Sequence, residues 1–251
     1  MHPLGRPRKA CDDRRVDVSP IPGLEHLPYA EVWFHEIDEE WFGEASAKAR
    51  ALDKDGLEVW TTDRTPEVAT FLAARGYEQV RRYVISELDL AAAADLGPPG
   101  RPLTSLAERP DLARALYELA LECYPDQPGR EGSSIGSFEH WRSWGLDPHP
   151  PDACFVALEG ARPVGYGYLE VEDGQARHGF AGITRAARGR GLIRAIRLAQ
   201  IAWAREHGFP TLRTANEARL TQMLALNEQQ GYVRLYDELV LRGPLARRIA
   251  P

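Results

Sequence analysis

The segment ITRAARGRGLIRAIRLAQIAWAREHG, Ile183 to Gly208, passes from a strand-like stretch through a basic loop with two glycines into an amphipathic helix. Leu192, Ile196, Ala199 and Trp203 fall in one helical stripe, with Arg194, Arg197 and Arg205 on the far side, and Gly208 is placed to end the helix. This order of strand, loop and helix makes an anion cradle. Gly189 and Gly191 let main-chain N–H groups approach a ligand closely, and the helix start adds unpaired N–H groups and the positive end of its dipole. Arg185, Arg188, Arg190, Arg194 and Arg197 lie within thirteen residues and predict a local positive field for a pyrophosphate-like polyanion. RGRG alone reads more often as a surface turn; the strand before it and the helix after it favour the ligand site.

Outward from this segment the chain alternates strands and helices. Upstream, PLTSL reads as a short strand, DLARALYELALECY and SFEHWRSWGL as helices, and CFVALEG with RPVGYGYLEVEDG as a hairpin turning at Gly160 to Pro163. ARHGFAGIT is the strand that enters the loop. Downstream come a strand TLRTA, a helix TQMLALNEQQ ended by Gly231, and a strand pair around VRLYDELVLRG. The Gly/Pro-rich stretch Ala91 to Pro102 predicts a domain boundary, with one domain over 1–95 and another over 101–245.

Composition sets the outer limits. A chain of 251 residues with 43% hydrophobic and 27% charged residues is a folded protein of two domains. Its net charge of −6 gives no general attraction to nucleic acid or anionic membrane. No apolar run matches a membrane span or a signal peptide, so a cytoplasmic location is expected. Cys11, Cys123 and Cys154 are scattered and odd in number, which predicts neither a disulfide framework nor a metal site; Cys154 opens an apolar run and reads as a core residue.

RGRGLI followed by an amphipathic helix resembles motif A of the GNAT superfamily of acyl-CoA N-acyltransferases, Gln/Arg-x-x-Gly-x-Gly/Ala. Arg188 and Gly191 match it, and Ile193 stands where the family has glycine or alanine. The resemblance implies acetyl-CoA or another short acyl-CoA as co-substrate, no metal, and contacts from Ile183, Arg188, Gly189, Arg190, Gly191, Leu192, Ile193 and Asn216. It also implies that main-chain groups at Ile183 hold the pantetheine arm and polarise the thioester carbonyl. TANEARLTQMLALNEQQGY is similar to motif B, with Gly231 and Tyr232 at its Gly-Phe end. Leu220 and Asn227 replace the family's asparagine and its proton-donating tyrosine. An asparagine donates a hydrogen bond but cannot deliver a proton. A branch of the superfamily with Thr-x-Asn ahead of Met-Leu-x-x-Asn makes Thr214, Asn216, Met223 and Asn227 a coherent set.

Asn227 shares a helix face with Leu220 and Leu224 and needs a polar partner if buried, so a structural role weighs evenly with a ligand contact. The strand VGYGYLEVE puts Tyr166, Tyr168, Glu170 and Glu172 on one face, with His178 opening the next strand. Glu170 is the first candidate for the general base, against an ordinary pocket-wall role for each of these residues.

Leu57 to Leu90 repeats the order found at the end of the second half: strand, helix ending in Gly-Tyr, then paired strands, with Gly76 and Tyr77 opposite Gly231 and Tyr232. The helix candidate WFGEASAKARALDKDG has no Gly-x-Gly loop before it, so the first copy lacks the phosphate cradle. The expected fold is therefore α/β, a tandem GNAT fold with a central mixed, mostly antiparallel sheet flanked by helices and an incomplete N-terminal copy. The implied function is acyl transfer to a primary amine of a small molecule or peptide by direct attack in a ternary complex. A non-catalytic acyl-CoA-binding or protein-interaction module is the alternative, and RNA binding by RGRG ranks last. Either a monomer with pseudo-dimeric halves or a homodimer is expected.

Overall fold

The computed structural model describes residues 16–93 and 96–247; Cys11 lies outside them. In chain order the elements are β1 (Val18–Pro20), β2 (Tyr29–Trp33), α1 (Glu39–Ala51), β3 (Gly56–Thr62), α2 (Pro66–Ala73), β4 (Glu78–Asp89), β5 (Thr104–Ser105), α3 (Ala113–Cys123), α4 (Phe138–Gly145), β6 (Phe155–Glu159), β7 (Arg162–Glu172), β8 (Gln175–Ile183), α5 (Leu192–Glu206), β9 (Thr211–Glu217), α6 (Thr221–Gln229) and β10 (Val233–Pro244). This is the expected mixed α/β fold, with its mostly antiparallel pairing and flanking helices. Two compact units form: one contains Ser86–Ala215 and Leu220–Arg234, the other 16–85, Asn216–Arg219 and 235–247 of the described residues.

In the smaller unit the strand order is β1-β2-β3-β10-β4. β2 and β3 pair in parallel from Tyr29↔Gly56 to Trp33↔Trp60, while β10 runs antiparallel along β3 from Glu238↔Thr62 to Pro244↔Gly56. Phe42, Ala45 and Ala49 of α1 and Val68 and Leu72 of α2 are buried with Ala30, Val32, Leu57 and Val59 in one core. Asp38 caps α1 by accepting from Trp41 N at 2.8 Å, and Glu39 and Glu40 occupy its first turn. The sequence signal for β1 and β2 was weak, because strands of three and five residues between prolines and glycines are too short to show a period.

In the larger unit β9-β8-β7-β6-β5 follow one another, with residues 86–89 of β4 belonging here; Arg213 of β9 donates to Glu87 at 2.7 Å. Helices cover both faces. Leu116, Leu119, Ala120 and Trp141 from α3 and α4 pack with Val156, Tyr166, Tyr168 and Phe180. Ile201, Trp203 and Ala204 of α5 pack with Leu169, Ala176, Leu212 and Tyr232. The alternation of Tyr168 and Leu169 between these cores is the period-two signature of β7.

Three features differ from the sequence expectation. The strand pair expected at VRLYDELVLRG is the single strand β10, and the pair expected after Tyr77 is the single strand β4, because neither run contains an Asn-Gly, Asp-Gly or Pro-Gly pair that would fold it back. The PLTSL strand shrinks to Thr104–Ser105. The compact units divide at Ile85/Ser86, and in the larger one Leu90 N donates to Pro210 O at 3.0 Å and Leu90 and Ala93 are core residues. No helix among the described residues is long and apolar enough to cross a membrane.

Candidate active site

The glycine loop folds because of its backbone. After β8 a single 3₁₀ turn, Arg185–Ala187, leads to Gly189 and Gly191, both at φ 76°, and Gly191 is the N-cap of α5. A Cβ at either glycine would meet no atom within 4 Å, so the left-handed conformation and not crowding demands glycine. Gly191 offers no side-chain cap, and the first turn of α5 holds no acidic residue. The N–H groups that open the helix are thus left for an external acceptor. Asp38, Glu39 and Glu40 give α1 the opposite character: that helix start carries its own anions.

The loop arginines divide by role. Arg185 and Arg188 donate to the Asp126 carboxylate at 2.7 and 2.6 Å, Arg188 also to Ile183 O at 3.2 Å, and Arg190 pairs with Glu159. These exposed pairs pin the loop more than they stabilise the fold. The two arginines hold Asp126 down at a pKa of about 2. Arg194 is exposed on the first turn of α5. Arg197 corrects the expectation of a surface cation, because it is 3% exposed and points inward.

β8 is irregular in two ways that matter for a ligand. One residue of β7, Tyr168, faces two of β8, Gly179 and Phe180, between the pairs Gly167↔Ala181 and Leu169↔His178, a bulge in β8. Its parallel pairing with β9 stops after Ala176↔Leu212 and Arg177↔Arg213. Among the described residues the ladder between β8 and β9 ends there, so β8 from His178 onward parts from β9.

A buried polar network closes this point of divergence. His178 Nδ1 donates to Gln200 Oε1 at 2.8 Å, which leaves Nε2 to accept from the Tyr232 hydroxyl at 2.6 Å. The Arg197 guanidinium carbon lies 5.2 Å from the Tyr232 ring centroid. Arg197 donates through Nη2 to Asn227 Oδ1 at 2.8 Å, through Nε to Gln230 Oε1 at 3.2 Å and through Nη1 to Thr214 Oγ1 at 3.4 Å. Burial pushes the His178 pKa well below its ordinary value, so the ring is neutral, and raises that of Tyr232 to about 12.

Residues 113–232 match the profile of the Acetyltransferase (GNAT) family, a span that holds the glycine loop, the diverging strands and the buried network. Residues 113–232 thus form a domain of the GNAT family. Among solved structures, the fold of the chain is similar to that of a GCN5-related N-acetyltransferase from Sphaerobacter thermophilus, with TM-score 0.66 and 18% identity over 93% of this chain and 77% of that one. It is also similar to a tandem GNAT protein from the clavulanic acid biosynthesis pathway, with TM-score 0.67 and 18% identity over 88% and 76%. A curated relative is the mycothiol acetyltransferase of Jonesia denitrificans, 29% identical over 184 residues, 69% of this chain and 58% of the relative. Another is the mycothiol acetyltransferase of Pseudarthrobacter chlorophenolicus, 26% identical over 222 residues, 81% and 66%. This chain thus spans about three-fifths to two-thirds of the curated relatives' length.

The sequence candidates lie at four places in the fold. Arg188, Gly189, Arg190 and Gly191 form the exposed loop, and Ile183, Leu192 and Ile193 are half-buried at its two ends. Asn227 is 2% exposed and holds Arg197, the polar partner its place on an apolar stripe required. Asn216 is half-buried on β9 and belongs to the other compact unit. Glu170, 7% exposed, lies on β7 and accepts from Arg177 Nε at 2.5 Å; burial raises its pKa while Arg177 opposes the rise. His149, absent from the sequence reading, stacks on Tyr168 at 4.2 Å between centroids, and burial lowers its pKa to about 4. Cys154 is a core residue whose thiol burial pushes up to about 12, and Cys123 is raised to about 11.

Proposed function

We propose that the GNAT domain transfers an acetyl or other short acyl group from acyl-CoA to a primary amine, by direct attack in a ternary complex. The observation that carries this reading is the uncapped N-terminus of α5 behind two left-handed glycines, beside a β8 strand that bulges and parts from β9. Arg188, Gly189, Arg190, Gly191, Leu192 and Ile193 would hold the pyrophosphate by main-chain N–H groups. Ile183 and the edge of β8 beyond its last β9 pair would hold the pantetheine arm as a further strand would be held. Main-chain N–H groups aimed at the thioester carbonyl would favour the charge that grows on its oxygen.

Glu170 is the proposed base that accepts the proton the amine nitrogen sheds as the C–N bond forms: a buried carboxylate with a raised pKa is better matched to that task than an exposed one. Asn227 acts as a positioning residue through Arg197. The smaller unit is the degenerate copy, because the helix start that corresponds to α5 is occupied by Asp38, Glu39 and Glu40. The name of the two curated relatives puts acceptors related to mycothiol first among the small-molecule amines to be screened.

Calorimetric titration with acetyl-CoA and CoA tests the reading. One site per chain that is lost in the variant Gly189→Glu with Gly191→Glu supports it, and turnover of an amine then separates an enzyme from a module that only binds. No binding by the native protein would refute it.

A further inference from the structure

The buried network contains a full positive charge whose partners are all neutral. Arg197 is 3% exposed, and its three hydrogen-bond acceptors are the amide oxygens of Asn227 and Gln230 and the hydroxyl of Thr214. The titratable groups that face it are Tyr232, which follows α6, and His178 of β8; the first keeps its proton to about pH 12 and the second is held neutral by burial. No carboxylate among the described residues pairs with it. Burying a guanidinium in this way forfeits much of its hydration, which buried arginines ordinarily recover from an acidic partner.

The fold itself does not require the charge, and the internal repeat shows this. α2 ends in Gly76-Tyr77 as α6 ends in Gly231-Tyr232, with left-handed glycines at φ 80° and 86°. Tyr77 N donates to Leu72 O just as Tyr232 N donates to Asn227 O. In the first copy the residue at the place of Asn227 is therefore Leu72, fully buried, and the inner face of α1 is Phe42, Ala45, Ser46 and Ala49. The same corner is built there without an arginine.

Position supplies the second half of the argument. Thr214 is the first β9 residue past the last β8 pair, and Arg197 reaches it through Nη1 at 3.4 Å. The charge thus sits beside the point at which β8 and β9 part.

We propose that Arg197 is a catalytic cation that receives the departing sulfur of coenzyme A as a thiolate, in place of a proton donor at position 227. This inference rests on the acyl-CoA reading and deepens it. The amine lone pair forms the C–N bond at the acyl carbon as the C–S bond breaks. The bonding pair leaves on sulfur, and the ammonium proton passes to Glu170 and then to water, so that acyl-CoA and amine give amide, CoA thiolate and one proton. An arginine cannot deliver a proton at any working pH, so its help is purely electrostatic.

The test is the pKa of the thiol of CoA bound to the intact protein, read from thiolate absorbance in the ultraviolet against free CoA. A thiol ordinarily near about 8.5 falls by roughly 1 to 3 units beside a cation within a few ångström. The expected result is a fall of about one unit or more in the native protein, largely kept in Arg197→Lys and lost in Arg197→Met. If CoA binds and its thiol titrates as in free CoA, or if the shift persists in Arg197→Met, Arg197 is only structural and the proposal fails while the acyl-CoA reading stands. If CoA does not bind, both fail. Should Arg197→Met not fold, the native protein and Arg197→Lys decide the question.

Discussion

Replacing Asn227 by leucine copies Leu72, its counterpart in the repeat, and asks what holds Arg197 in the core. The change removes the shortest of the three acceptors of the guanidinium, at 2.8 Å, and a hydrogen bond to a charged group is worth about 1.5 to 3 kcal/mol. Asn227→Leu should therefore lower stability by about 2 to 3 kcal/mol, since Arg197 stays buried with fewer partners. Arg197→Met takes one donor from each of Asn227, Gln230 and Thr214 but also removes a buried charge, so about 1 to 3 kcal/mol is expected. The double variant rebuilds the corner with apolar groups, as the first copy does. It should be no less stable than the worse single variant, with a coupling energy of about 1 to 3 kcal/mol. Urea unfolding of the four proteins at one pH measures this. Effects that add to within about 0.5 kcal/mol would refute the network as a coupled unit.

Three further outcomes follow from the site. Gly189→Ala with Gly191→Ala forces two side chains into the left-handed region at roughly 1 to 2 kcal/mol each, to be seen in melting temperature, in CoA affinity or divided between them; if neither moves, glycine is not what shapes the loop. Asp126 is depressed to about 2, so its contribution to stability is complete above the ordinary carboxylate pKa and disappears as pH falls toward 2; Asp126→Asn should flatten acid unfolding in that window, and an unchanged profile would count against the pairing. Glu170→Gln should lower kcat by about 100-fold or more and abolish the acidic limb of the pH–rate profile, and a loss below about 3-fold would remove Glu170 from the mechanism.

The loop and its helix were legible because backbone chemistry announces itself locally: glycine, glycine, then an amphipathic period with no cap. The core elements of the larger unit were legible for the same reason. The burial of Arg197 was not, since its place on α5 three residues from Arg194 and from Gln200 looks like a surface site and only the partners Asn227, Gln230 and Thr214, brought from α6, the residue after it and β9, turn it inward. One signal pointed the right way: an asparagine on an apolar stripe demands a polar partner, and a search of the neighbouring helix would have reached Arg197. His149 gave no sign, because its meaning lies in a stack on Tyr168 between segments far apart in sequence. The single strands β4 and β10 were misread as pairs because hydrophobic alternation reports a face, not where a strand stops.

The pairing of β10 with β3 also constrains how the protein is made. Seven residues of β3 find their antiparallel partners at Glu238–Pro244, far downstream, and Leu241 belongs to the same core as Leu57 and Val59. While the ribosome is still extending the chain, the smaller unit has its helices and its parallel pair but an open, apolar sheet edge. That edge closes only when Glu238–Pro244 has emerged, so N-terminal-first folding during synthesis is interrupted by a long wait with strand groups exposed. Nascent chains stalled before Glu238 should accordingly be the form most dependent on chaperones, and a fragment cut at Ile85 should aggregate unless a peptide of the β10 sequence is supplied.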